Sequence, residues 1–267
     1  MSNSPLVCYT KLSPNCNCPR NHVIDTITIH CMAGNCSIET CGEIFYPVAR
    51  QASSNYGIDS NGRIGMYVEE KNRSWCTSSG SNDHRAITIE VANDGGADTG
   101  WHVSDKALAA LIDLCTDICK RNGIPELRWK ADPSLIGQVD KQNMTVHRWF
   151  ANKSCPGDYL FNLHGYIAAE VNKRLGVTTT ETPTIPEVKV PEKNPDTTVV
   201  EGKAVPFKVR VIVPDLNYRS QPSMQGKVLG QTGRGVFTIV QLHGGWGKLK
   251  SGAGWIWLKN PSYCTIL

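Results

Sequence analysis

Ile24-Asp25-Thr26-Ile27-Thr28-Ile29-His30 ends in a strict alternation of threonine and isoleucine, and Ile87-Thr88-Ile89-Glu90 repeats the template farther along the chain. β-branched residues at every second position predict strands, here over 23–31 and 85–92, with another over 63–69. Side chains on a strand alternate between faces, so His30 leaves beside Thr28 and Glu90 beside Thr88. If the two strands are neighbours in one sheet, an imidazole and a carboxylate share a polar face. Two helices follow in the pattern. Leu108, Leu111, Ile112, Cys115, Ile118 and Cys119 have helical spacing, with Ser104 as N-cap, Lys120 and Arg121 in the last turn and Gly123 as stop. A second helix starts near Pro156 to Asp158, carries Leu160, Leu163, Ile167, Val171 and Leu175 on one face and stops at Gly176. Strands interleaved with helices predict an α/β domain, a central mixed sheet flanked by helices, over residues 1–176.

The composition then changes. Residues 177–203 contain Pro183, Pro186, Pro191 and Pro195 with few large apolar groups, which predicts an extended, semi-stiff linker. Residues 204–267 break into short β-type runs punctuated by glycine, the pattern of a small all-β barrel. Leu216-Asn-Tyr-Arg-Ser-Gln-Pro-Ser and Gly245-Trp-Gly-Lys-Leu-Lys-Ser-Gly-Ala-Gly-Trp-Ile-Trp resemble the bacterial SH3-like domains that bind cell walls. That resemblance implies wall contacts from Tyr218, Trp246, Trp255 or Trp257, at least one of them a core residue instead. Eight Lys and Arg face one Asp in 204–267, a net charge of +7, whereas residues 1–176 are near neutral. Such a module attracts an anionic surface. No nucleic-acid motif accompanies the charge, so a nucleic-acid partner is not expected.

His30 gains meaning from Val146-His147-Arg148-Trp149-Phe150-Ala151-Asn152-Lys153-Ser154-Cys155-Pro156-Gly157. His30, His147 and Cys155 supply two imidazoles and a thiolate, three of the four donors that zinc favours, and three protein ligands leave one position for water. The strand ending in His30, the strand carrying Glu90 and the His147-to-Cys155 block with its Lys-x-Cys-Pro-Gly ending resemble the zinc N-acetylmuramoyl-L-alanine amidases of phage-lysozyme and peptidoglycan-recognition type. The resemblance spans roughly residues 5–175. It implies one Zn²⁺ per chain, bacterial peptidoglycan as substrate, hydrolysis of the amide between N-acetylmuramic acid and L-alanine, and a phage or prophage endolysin as the whole. Some members place a catalytic tyrosine a few residues before an Asp-Gly or Asn-Gly turn; counted back from Asn61-Gly62, that place holds Ser54, not Tyr56. The chain is therefore similar to the branch that uses a glutamate, which points to Glu90 as general base and to Lys153 as the oxyanion-stabilising cation. Trp75, Trp101 and Trp149 are candidates either for a sugar-peptide groove or for the core.

Other readings stay open on sequence alone. Glu90 is otherwise a salt-bridged acid, and Lys153 a solvated lysine. Cys155 with His147 also fits a cysteine-type peptidoglycan peptidase, although His30 and Glu90 then lack roles. A non-catalytic peptidoglycan-recognition protein would lack a zinc ligand, and this chain has all three. Eleven cysteines, an odd number in a long chain, are expected to be mostly free thiols, with Cys115 and Cys119 as small buried residues. No run approaches 18 apolar residues, and the start has no basic-then-apolar leader. The expectation is a cytoplasmic product, not inserted in a membrane, that reaches the wall after release by a phage pore or host lysis.

Overall fold

A computed structural model describes residues 2–177, 203–223, 226–260 and 263–267. The stretch read as a linker, 177–203, therefore falls almost wholly outside the described residues. The chain divides into two compact units, Met1–Pro191 and Glu192–Leu267.

The first unit is built on six strands: β1 (Tyr9–Thr10), β2 (Thr26–Cys31), β3 (Tyr56–Ile58), β4 (Ile64–Met66), β5 (Ala86–Val91) and β6 (Met144–Thr145), in the order β1-β4-β3-β5-β2-β6. Within this sheet only the β3–β4 pair is antiparallel, and a separate antiparallel pair joins Cys16–Asn17 to Arg73–Ser74. The two template strands pair in parallel without a register shift, so Ile27 meets Ile87, Thr28 meets Thr88 and His30 meets Glu90. Ile27, Ile29, Ile87 and Ile89 are fully buried, and the threonines between them are buried as well but hydrogen-bonded. Thr28 Oγ1 lies 2.7 Å from Thr145 Oγ1 and accepts from Asn82 Nδ2, and Thr88 Oγ1 lies 2.7 Å from Ser74 Oγ. Buried hydroxyls require such partners.

Among the described residues four α-helices accompany the sheet: α1 (Ile38–Phe45), α2 (Gly80–Arg85), α3 (Asp105–Asn122) and α4 (Gly157–Leu175). The two long ones have the boundaries their sequence predicts. Ser104 Oγ accepts from Ala107 N at 3.2 Å, and Gly123 closes α3 in the left-handed region. α3 packs on α4, and their apolar faces join the isoleucines in the main core. A second cluster, Met32, Cys41, Phe45, Tyr67 and Ala92, seats α1. Tyr56 belongs to the interior: its hydroxyl donates to Glu70 Oε1 at 2.6 Å, and the fully buried Glu70 also receives the Arg121 guanidinium in a bidentate pair. The position expected of the family's tyrosine, Ser54, is buried and donates to Tyr56 O.

Among the described residues the second unit forms a seven-stranded all-β sheet, in spatial order Val228–Gln231, Asn217–Arg219, Trp255–Trp257, Trp246–Leu249, Gly235–His243, Phe207–Val211 and Cys264–Ile266. Phe207, Val209 and Val211 alternate with exposed residues and form its core with Ile239, Leu249, Ile256 and Leu258. Trp246 is 5% exposed and Trp255 9% exposed. Both rings thus offer little surface to a ligand; Trp246 meets Trp257 at a 5.3 Å centroid separation, and Lys248 lies over Trp255. Tyr218 is half-buried against the same core.

Candidate active site

His30, fully buried, stands near the C-terminal end of β2, with Glu90 of β5 as its register partner. β6 pairs with β2 through Ile27–Met144 and Thr28–Thr145, which delivers the turn His147–Trp149 to the end of β2. The loop then returns, with Arg148 N donating to Cys155 O at 3.1 Å and the Arg148 guanidinium donating to Ser154 O at 2.6 Å and to Asp158. Cys155 is thereby brought back to β2 just before α4 begins. Its Sγ lies 3.3 Å from His30 Nδ1, the His30 and His147 ring centroids are 5.1 Å apart, and one donor atom from each of His30, His147 and Cys155 lies within 4.8 Å of the others.

Glu90, the register partner of His30, has Oε1 3.9 Å from His30 Nδ1. Its Oε2 is buried with no hydrogen-bond partner among the described residues, as is His30 Nε2. Burial pushes the Glu90 carboxyl up to about 8. Burial, reinforced by His147, lowers His30 to about 3, and burial with nearby Lys153 lowers His147. Both imidazoles are thus neutral at pH 7, as metal ligands must be. The neighbouring Cys31 thiol and burial raise the Cys155 thiol.

These residues fit zinc. The donors are two neutral imidazoles and a cysteine sulfur that binds zinc as its thiolate, and the 3.3 Å separation of Cys155 Sγ and His30 Nδ1 is near the ~3.5 Å edge of a tetrahedron with ordinary Zn–N and Zn–S bonds. A second donor set, His30, Cys76 and Glu90, overlaps the first through His30.

A cleft of about 470 Å³ opens over the site, lined by Glu90, His147, Lys153 and Cys155 together with Cys31, Met32, Cys36, Cys41, Phe45, Arg50 and Trp101. The structure thus brings together five predicted residues: His30, Glu90, His147, Lys153 and Cys155. Trp101 lines the same cleft. Trp75 is absent from the lining; its indole donates to Asn17 Oδ1 at 2.7 Å. Trp149 stacks on Trp129 at a 5.1 Å centroid separation and 8°. Cys76 and Ser78, which touch Glu90 and His147, and Asp83, which holds their loop, carry no sequence signature. Only the Ser79-to-Asp83 spacing, a helix start with an acid in its first turn, marks that loop.

The N-acetylmuramoyl-L-alanine amidase family model matches residues 20–158, just over half of the sequence, and the chain belongs to that family. It is a peptidoglycan hydrolase. No curated protein sequence matches it. Among solved structures it is similar to the endolysin N-acetylmuramoyl-L-alanine amidase LysCS from Clostridium intestinale URNW (17% identity, TM-score 0.39, covering 57% of this chain and 84% of that one). It is also similar to a mutant endolysin from Bacillus subtilis (18%, 0.45, 61% and 97%) and to the PlyG catalytic domain (19%, 0.46, 66% and 98%).

Proposed function

We propose that this chain is a zinc-dependent N-acetylmuramoyl-L-alanine amidase, an endolysin of phage or prophage origin that opens the amide between the lactyl group of N-acetylmuramic acid and L-alanine. The convergence of His30, His147 and Cys155 on one corner of a cleft whose lining includes Glu90 carries the assignment. His30, His147 and Cys155 would hold one Zn²⁺, which when bound would supply Lewis acidity and lower the pKa of water. Glu90 takes the proton of the attacking water and returns it to the leaving nitrogen of L-alanine; its burial raises the basicity of the carboxylate toward the working pH. Lys153, exposed at the cleft, balances the negative charge that develops on the carbonyl oxygen.

Residues 204–267 act as an SH3-like wall-binding module drawn to the anionic wall by their net charge of +7. The product is made in the cytoplasm and meets the wall after a phage pore or host lysis releases it. Digestion of purified wall followed by mass spectrometry tests the reaction: new L-alanine amino termini are expected, and new reducing sugars would refute it. Expression in a susceptible host with and without a co-expressed pore former tests the release route, since lysis without the pore would contradict it.

A further inference from the structure

The loop Cys76–Ser79 lies outside every motif that pointed to the site, yet it touches two of the site's members. Cys76 Sγ is 3.9 Å from Glu90 Oε1, close enough for a weak S–H···O hydrogen bond, and Ser78 Oγ is 3.4 Å from His147 Nε2. The loop is held from below. Asp83, 1% exposed, accepts from Cys76 N at 3.0 Å, from Thr77 N at 3.1 Å and from Thr77 Oγ1 at 2.6 Å. Ser79 Oγ caps α2 by accepting from Asn82 N.

Ser78 itself has φ +66°, a left-handed conformation that strains a residue with a Cβ and would suit glycine. Its side chain is exposed, so packing does not demand a serine, and among the described residues its hydroxyl has one partner, His147. Strain retained beside a reactive site is commonly retained for a contact. Metal-bound histidines in general use their second ring nitrogen to bind a neighbour that fixes the ring.

We infer that the Cys76–Ser79 loop positions both halves of the site: Ser78 accepts from His147 Nε2–H and leaves Nδ1 for the metal, while Cys76 donates to Glu90 Oε1 and sets the carboxylate's direction. Both are positioning residues. The inference rests on the zinc reading above, and the experiment separates the two.

Wild type, Ser78→Gly, Cys76→Ala and Cys76→Ser are compared in three measurements: zinc affinity by competition with a chromophoric chelator, thermal unfolding of the metal-free protein, and kcat and KM on soluble N-acetylmuramoyl-pentapeptide. Ser78→Gly should weaken zinc binding ~10- to 100-fold, while the metal-free midpoint stays level or rises because glycine relieves the strain. Cys76→Ala should leave zinc affinity and KM unchanged and lower kcat about tenfold, since a displaced base costs rate. Cys76→Ser, which keeps a donor, should recover most of that loss. Wild-type zinc affinity in Ser78→Gly overturns the role of Ser78. Wild-type kcat in Cys76→Ala, or Cys76→Ser as slow as Cys76→Ala, overturns that of Cys76. A wild-type protein that binds no zinc would overturn the zinc reading instead.

Discussion

Two donor sets share His30, and single substitutions reveal which one holds the ion. His30, His147 and Cys155 form one set; His30, Cys76 and Glu90 form the other. Structural zinc sites bind with ~10–16 kcal/mol over four ligands, so each donor is worth roughly 3–4 kcal/mol. Losing one of three protein donors should therefore weaken binding by two to three orders of magnitude at ~1.4 kcal/mol per decade. His147→Ala and Cys155→Ala should show that loss in a chelator competition assay. Glu90→Gln keeps the side chain's size, and in the first set it removes no ligand, so affinity should stay within about tenfold. Turnover should nevertheless fall ~10²- to 10⁴-fold, or ~3–5 kcal/mol in the barrier, because the amide cannot act as a base. The opposite pattern, zinc lost in Glu90→Gln and kept in Cys155→Ala, would refute the assignment of both ligands and base. Full turnover in zinc-loaded Glu90→Gln would remove the base alone.

Lys153→Ala should retain zinc and lower kcat ~10²- to 10³-fold, the cost of losing one oxyanion partner, with KM on soluble muropeptide nearly constant. His164 is fully buried, donates from Nδ1 to Leu160 O at 2.6 Å, and is lowered by burial to about 4. The unfolded chain, with an ordinary histidine near 6.5, binds a proton that the folded one refuses between these values. Stability should fall as pH drops from about 6.5 to 4, by up to ~3 kcal/mol from this residue, and His164→Asn should show a shallower fall in thermal midpoint over that window. A Cβ at Gly157, which has φ +81°, would come 2.6 Å from Gly100 O, so Gly157→Ala should cost ~1–3 kcal/mol in denaturant unfolding. Removing residues 204–267 should reduce lysis of intact cells far more than cleavage of soluble muropeptide, and sedimentation of the isolated region with wall should weaken with salt; unchanged lysis would contradict the wall-binding role.

What the sequence determined by itself was local. The Thr-Ile alternation marks β2 and β5, and Ser104 and Gly123 bound α3, because strand period and helix caps depend on residues within a few positions of one another. The His147-to-Cys155 block is equally legible, since its chemistry lies within one short segment. Tertiary structure alone decided the rest. That His30 and Glu90 are register partners follows from parallel pairing between segments far apart in the chain, and no spacing encodes a register. Strand Tyr56–Ile58 and helix Ile38–Phe45 escape the periodicity: the strand is very short and buried on both faces, and the helix spans only about two turns. Which of the C-terminal aromatics are buried is likewise decided by the fold, where Trp246 and Trp255 are 5% and 9% exposed, because an aromatic suits a binding face or a core equally well. Cys76 and Ser78 were invisible for the plainest reason. A thiol and a hydroxyl acquire a role here only from the two side chains that folding sets 3.9 and 3.4 Å away.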